Sequence, residues 1–304
     1  MSAAGPPQGA KAPSGLSPAA PGLPAQTGTG RRAAASGGGT SSEGHAVPSV
    51  GATMTTLHIS GASKRFGGVT AVSDIEMQVP PGKITGLIGP NGAGKTTLIN
   101  LITGVLALSG GSIRFGDQDL THAPAHQVAR AGITRTFQNI RLLAEASVVD
   151  NVMIGFYRRE TTSTAASLLG LPSARRETRS LRERALRLLE RFGMAHLADH
   201  EAGGLAYGHQ RRVEMVRALA SEPALILLDE PVAGMNDVEA GELGEIFAGL
   251  ARAGMGVLLI EHNVRFVTRL CHHVYVLDSG RMIASGTPAE IVSNPAVITA
   301  YLGA

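Results

Sequence analysis

The chain of 304 residues has a single cysteine, Cys271. An internal disulfide is therefore excluded, and the usage fits a reducing compartment. Cys271 precedes an apolar stretch and reads as a small packed side chain. His272 and His273 come directly after it, but no second cysteine or nearby acid completes a set of metal ligands. Long hydrophobic runs are also missing. The apolar stretches are strand-sized, short of the roughly 18 to 20 residues that cross a membrane, so any membrane role has to come through a partner. Nor is there much charge of one sign: the net charge is +3, although the pI is 9.3. Lys11, Arg31, Arg32 and Glu43 place +2 of that charge among the first 53 residues. The remainder of the chain is nearly neutral, and no nucleic-acid partner is expected. With 43% hydrophobic and 17% charged residues, the composition is that of a soluble globular protein.

Residues 1–53 are mainly Gly, Pro, Ala, Ser and Thr, a composition that cannot bury enough surface to offset the entropy of ordering. A disordered low-complexity tail is predicted there. It has no apolar core of a secretory signal, and Arg31-Arg32 lacks the apolar segment of a twin-arginine signal. Patterned sequence begins at Met54, which leaves open that the tail reflects the choice of start site.

The stretch Gly89-Pro90-Asn91-Gly92-Ala93-Gly94-Lys95-Thr96-Thr97 fits the phosphate-cradling pattern G-x-x-x-x-G-K-[ST]. Glycines let successive backbone N–H groups converge on one concavity, Lys95 adds a full charge, and Thr96 offers a hydroxyl to Mg²⁺. Ile84 to Ile88 reads as a buried strand before the loop. Leu98 to Ile102 carries a helix towards Gly104, a natural stop. Strand, glycine loop and helix are the context that the pattern requires, and the helix N-terminus favours an anion at the same place.

Elsewhere, Leu57 to Ile59 and Ile75 to Val79 read as strands, as do Ile113 to Phe115 and Ile133 to Phe137, the last running into Gln138. Phe66, beside Gly67-Gly68, is either a surface for stacking an adenine ring or an ordinary core or loop aromatic; spacing does not decide. From about Val148 the character turns helical. Ser180 and Glu183 form a capping-box pattern that predicts a helix start, with Leu181, Ala185, Leu188, Leu189 and Phe192 on one face and Gly193 as the stop. Seven arginines between Arg175 and Arg191 face Glu177, Glu183 and Glu190, which reads as a solvated helix face. A further helix is expected from Gly208. Ala224 to Leu228 is a buried strand ending in Asp229-Glu230, an acid pair suited to Mg²⁺ and to activating water. Gly256 to Ile260 repeats that form and ends in Glu261-His262. Tyr275 to Leu277 and Met282 to Ala284 predict a hairpin across Asp278-Ser279-Gly280. Thr287-Pro288-Ala289-Glu290 predicts a capped last helix. Buried strands alternating with helices imply an α/β fold with a largely parallel sheet.

Taken together, the phosphate loop, Gln138, the loop Leu205-Ala206-Tyr207-Gly208-His209-Gln210, Asp229-Glu230 and His262, in that order, resemble the ATP-binding cassette (ABC) family. The resemblance covers about residue 55 onward. It implies the P-loop hydrolase fold of ABC type: a mostly parallel core, an antiparallel β region and a helical subdomain at about 139–222, all within an ATP-binding domain at 54–304. It implies ATP and Mg²⁺ as cofactors. Gly89 to Thr97 would be the Walker A loop, and Thr96, Gln138 and Asp229 would hold the metal. Glu230 would be the general base, His262 a contact to the γ-phosphate, and Phe66 the adenine platform.

Ala206, Tyr207 and Gly208 stand in the signature loop, which faces the ATP of a partner cassette; Ala206 replaces the usual serine and Tyr207 the first glycine. Asn236 stands where many cassettes have Asp. These departures, with Glu230-Pro231, Arg135-Thr136-Phe137-Gln138 and the ending Asn294-Pro295 to Ala300-Tyr301-Leu302-Gly303, are similar to the longer ATPase subunit of branched-chain amino-acid importers. Relatives for urea, amides and other solutes share much of the pattern, and a non-transport cassette ATPase is the remoter alternative. The resemblance implies two transmembrane permeases, a second cassette subunit and an external solute-binding protein as partners, at the cytoplasmic face of the inner membrane.

Overall fold

The computed structural model describes residues 55–136, 141–156 and 171–302. The 1–53 tail and Gln138 lie outside the described residues. Strands β1 (Leu57–Phe66), β2 (Val69–Val79), β4 (Gly110–Phe115) and β5 (Gln118–Asp119) form an antiparallel sheet in the order β2-β1-β4-β5. A second sheet combines β3 (Ile84–Ile88), β6 (Ile133–Arg135), β7 (Leu225–Asp229), β8 (Gly256–Ile260), β9 (His273–Asp278) and β10 (Arg281–Gly286). Its order is β10-β9-β3-β8-β7-β6, parallel throughout except for β10 against β9. The helices are α1 (Lys95–Ile102), α2 (Ala125–Ala131), α3 (Val148–Ile154), α4 (Pro172–Arg191), α5 (Tyr207–Ala220), α6 (Asp237–Arg252), α7 (Val264–Leu270), α8 (Pro288–Val292) and α9 (Pro295–Leu302).

Every residue of β3, β7 and β8 is buried, which is why these strands read as unbroken apolar runs rather than alternating ones. The alternation of side chains is still present, but both faces are covered. Ile226, Leu228, Val257 and Leu259 point into a core built with α3 to α9. Leu225, Leu227, Leu258 and Ile260 point into a separate core shared with the antiparallel sheet, α1 and α2. Each such side chain contributes roughly 1.5–3 kcal/mol by leaving water, so the central strands are held from two sides.

Local signals place most element ends. Gly104, at φ 66, follows the α1 cap, and Gly193, at φ 67, follows the α4 cap. Ser279 and Gly280, at φ 47 and 76, make the two-residue turn between β9 and β10, where both central residues need the left-handed region. Thr287 and Glu290 form the expected capping box, with Pro288 at the first helical position. The Ser180 and Glu183 pattern does not start a helix, however: α4 begins eight residues earlier, at Pro172, and Ser180 lies within it. Leu171 caps that helix without a side-chain bond, and Pro172 supplies the preset φ that a first turn favours. The buried stripe of Leu181, Ala185 and Leu189 is as expected, with Phe192 at the C-cap.

The arginines of α4 are less idle than a solvated face suggests. Arg182 pairs with Asp199, and Arg184 pairs with Glu222 while its guanidinium lies 4.6 Å from the Phe156 ring centre. Cys271 is buried, and burial pushes its thiol up to about 12. At pH 8 the folded thiol should therefore react with DTNB on the order of a thousandfold more slowly than the denatured chain, since thiolate is the nucleophile. Equal rates in buffer and in guanidinium, read at 412 nm, would contradict this burial.

Candidate functional site

The loop after β3 is wedged against its neighbours at two glycines, where no side chain would fit. At Gly89, φ is 152 and a Cβ would lie 2.0 Å from the Leu277 carbonyl oxygen. At Gly94, φ is 102 and a Cβ would lie 2.8 Å from the Ala71 carbonyl oxygen. The backbone can thus fold back on itself, and α1 starts immediately after it. Residues 91–97, with Asp229, Glu230 and Ile260, line a cleft of about 250 Å³ at the carboxyl ends of β3, β8 and β7. This is where open α/β sheets place ligands.

Lys95 is buried, and its amine donates to the Gly89 carbonyl at 2.7 Å and the Pro90 carbonyl at 3.0 Å. Desolvation lowers its pKa, while the charges of Glu230 and Asp229 oppose that shift. One cation and two acids thus share one polar cleft with a helix N-terminus.

Asp229, 5% exposed, closes β7. Its Oδ2 accepts from Arg135 Nη2 at 2.8 Å, and Arg135 Nη1 donates to Asn100 Oδ1 of α1 at 2.6 Å. Glu230 sits at φ 48, a left-handed conformation that costs a non-glycine residue roughly 1–3 kcal/mol, and its N–H donates to the Ile260 carbonyl at 2.9 Å. The strain turns the chain sharply at the acid pair. His262 Nδ1 lies 3.7 Å from Glu230 Oε1 and 3.9 Å from Glu261 Oε2. Glu261 is buried and accepts from the Val232 and His262 N–H groups, each at 3.3 Å. Burial raises its pKa, against the pull of those hydrogen bonds and of His262. It ties the end of β8 to the loop that follows the acids.

The structure brings the phosphate loop, Lys95, Thr96, Thr97, Asp229 and Glu230 together, with His262 beside Glu230. It does not bring in Ala206, Tyr207 or Gly208. Ala206 is the N-cap of α5 with no side-chain cap bond, and Tyr207 is 52% exposed. Phe66 does not line the cleft either. It ends β1 at the tip of the β1–β2 hairpin, 47% exposed, with Lys64 Nζ 5.1 Å from its ring centre. The start of β2, from that same hairpin, reaches the loop through Ala71. Asn236 has a local reason to be there: its side chain accepts from the Val238 and Glu239 N–H groups and caps α6.

The roles of three residues are not legible in the sequence, because most of their partners are distant in it. Arg211 is 1% exposed; its Nη2 donates to the Asp229 and Glu230 carbonyls at 2.6 and 3.1 Å, and its Nη1 pairs with Glu214 at 3.2 Å. It fastens α5 to the acid pair. Arg135 was noted only as part of a pattern. Tyr301 of α9 turns a buried hydroxyl towards the Gly89 backbone, short of a regular hydrogen bond; burial raises its pKa and Gly89 opposes the shift. An arginine inside an otherwise apolar helix stripe was the one available signal, and only for Arg211.

Residues 72–233 match the family model for ABC transporters, and residues 281–304 match that for the branched-chain amino acid ATP-binding cassette transporter. The first match spans more than half of the chain. The chain belongs to the ABC transporter family. This cassette is 42% identical over 248 residues to LivG of Escherichia coli (strain K12), a high-affinity branched-chain amino acid transport ATP-binding protein, covering 81% of this chain and 97% of LivG. LptB of the same organism, the ATP-binding protein of a lipopolysaccharide export system, is 37% identical over 82% of this chain and 98% of its own. The solved cassette MJ1267 in its ADP conformation superposes with a TM-score of 0.72 at 34% identity, covering 83% of this chain and all of that one. The expected fold and ATP-hydrolysing activity are thereby established for this cassette.

The donors at the cleft also suit Mg²⁺. Thr96 and Asp229 offer hard oxygen atoms beside the phosphate cradle. Mg²⁺ keeps phosphate and water ligands rather than a protein cage, and no cluster of three or more His, Cys, Asp or Glu suited to a metal occurs among the described residues. Replacing Arg211 by Ala should cost about 3–5 kcal/mol, because it removes a buried cation facing Glu214 and two carbonyls. Urea unfolding followed by circular dichroism measures this; a loss below about 1 kcal/mol would mean that α5 is not held through this side chain.

Proposed function

We propose that this cassette energises the import of branched-chain or similar hydrophobic amino acids, together with two transmembrane permeases, a second cassette and an external solute-binding protein. The observation that carries this reading is the match of residues 281–304 to the branched-chain family model. The higher identity to LivG than to LptB supports it. An export-system protein shares the same core, so direction is not written in the catalytic residues. No helix among the described residues is long and apolar enough to cross a membrane, which suits a peripheral subunit at the cytoplasmic face.

In the proposed cycle the β- and γ-phosphates of ATP lie on the N–H groups of residues 89–97, with Lys95 exchanging its loop carbonyls for phosphate oxygens. Thr96, Asp229 and Gln138 would hold Mg²⁺, which would supply neutralisation of developing charge on the phosphates. Glu230 orients and deprotonates the attacking water, and His262, already 3.7 Å from it, keeps that carboxylate in place and contacts the γ-phosphate. Phe66 packs on the adenine. The signature loop of each cassette, with Gly208 and the open N-terminus of α5, meets the ATP of the other. Binding therefore favours a closed pair and hydrolysis a reopened one.

Glu230→Gln should keep ATP binding and lose roughly 10²- to 10⁴-fold in turnover. Retained turnover would remove Glu230 from the base role. The transport reading is tested by purifying the chain with the proteins encoded beside it and assaying ATPase in proteoliposomes. Stimulation by leucine, isoleucine or valine with the binding protein is the expected result. Stimulation by urea or amides alone, or recovery without permeases, would overturn it.

A further inference from the structure

We propose that Arg135 is a positioning residue that sets Asp229 for its metal and ties that carboxylate to α1. This rests on the proposed Mg²⁺ role of Asp229. Arg135 is the last residue of β6 and stands three positions before Gln138. Its two terminal nitrogens are committed in different directions, one to Asp229 Oδ2 at 2.8 Å and the other to Asn100 Oδ1 at 2.6 Å. Asn100 lies in α1, the helix that begins with Lys95. A single planar guanidinium therefore spans the phosphate-loop helix, the acid strand and the strand leading to Gln138.

The geometry distinguishes positioning from blocking. Arg135 takes only Oδ2, so the other carboxylate oxygen stays available on an acid that lines the cleft. Asn100 holds the second nitrogen and keeps the guanidinium from swinging across the carboxylate. The surroundings are dry, with the two side chains 10% and 7% exposed, so the charge-assisted bond fixes the rotamer of Asp229 instead of being one of many solvated states. The adjacent residue reinforces the link: Thr136 N–H donates to the Leu227 carbonyl at 3.0 Å, and the Thr136 hydroxyl accepts from the Asp229 N–H at 3.3 Å. Strand β6 is also the edge of the six-stranded sheet, paired only with β7. Lysine cannot replace this arrangement fully, because an ammonium is a point charge without a rigid fork.

The test uses the full chain and a fluorescent ATP analogue titrated with Mg²⁺, with the analogue's affinity also measured in EDTA. For Arg135→Met the half-saturating Mg²⁺ should rise about tenfold or more, the scale of one lost charge-assisted hydrogen bond, while affinity in EDTA stays within about twofold. Arg135→Lys should fall between that variant and the wild type, and Asn100→Ala should raise the Mg²⁺ requirement in the same direction by less. These two variants carry the test if Arg135→Met does not fold. An unchanged Mg²⁺ requirement would make Arg135 a structural pair only, and a lowered one would make it a competitor of the metal; either overturns the proposal. Asp229→Asn in the same assay separates the two layers. If it raises the Mg²⁺ requirement and Arg135→Met does not, only the role of Arg135 falls. If it has no effect, the metal assignment of Asp229 falls and the proposal goes with it.

Discussion

An acid pair at the end of a strand buried on both faces is the constraint around which the rest of the molecule is arranged. Carboxylates in such a place need cations, and the cations cannot come from the strand itself, which is apolar up to the acids. Three separate elements supply them: Lys95 from the phosphate-loop helix, Arg135 from the neighbouring strand, and Arg211 from α5, which holds the carbonyls behind the acids. Each contact satisfies a local electrostatic demand. Their sum also fixes α1, β6 and α5 relative to the acid pair. Buried ion pairs add little net stability against an apolar alternative, so their value here lies in this registration of parts.

The residues whose chemistry depends on near neighbours in sequence were legible. Gly89 to Thr97 announces its conformation through its own spacing, and Thr287 with Glu290 announces a helix start, because the groups that satisfy each other lie within one turn. Asp229 and Glu230 stood out since acids at the end of an apolar strand demand an explanation. The roles of Arg211, Arg135 and Tyr301 were not legible. Apart from Glu214, three residues after Arg211, the partners named for them lie 18 or more residues away. Ser180 misled for the opposite reason. A local capping pattern lay inside a longer helix whose amphipathic stripe and tertiary packing decide its extent, and the first turn used proline instead.

Membership of the family follows from both chemistry and comparison, but the two bear on different parts of the chain. The roles proposed for the acids, the loop and His262 concern hydrolysis, which an importer and an exporter share. What sets this chain among branched-chain types lies at residues 281–304, and that segment is not remote from the chemistry: α9 packs into the same core as β3 and turns Tyr301 towards Gly89.

The two-sided burial of β7 and β8 divides their residues by parity. Leu225, Leu227, Leu258 and Ile260 belong to the layer that shapes the nucleotide cleft, whereas Ile226, Leu228, Val257 and Leu259 belong to the layer of helices. Neighbours in sequence are therefore subject to separate packing demands. A change on one set alters the packing of one layer and leaves the apolar contacts of the other set in place, while Arg211 and Tyr301 still tie the helical layer to the cleft. A single sheet one residue thick is the partition between the two demands.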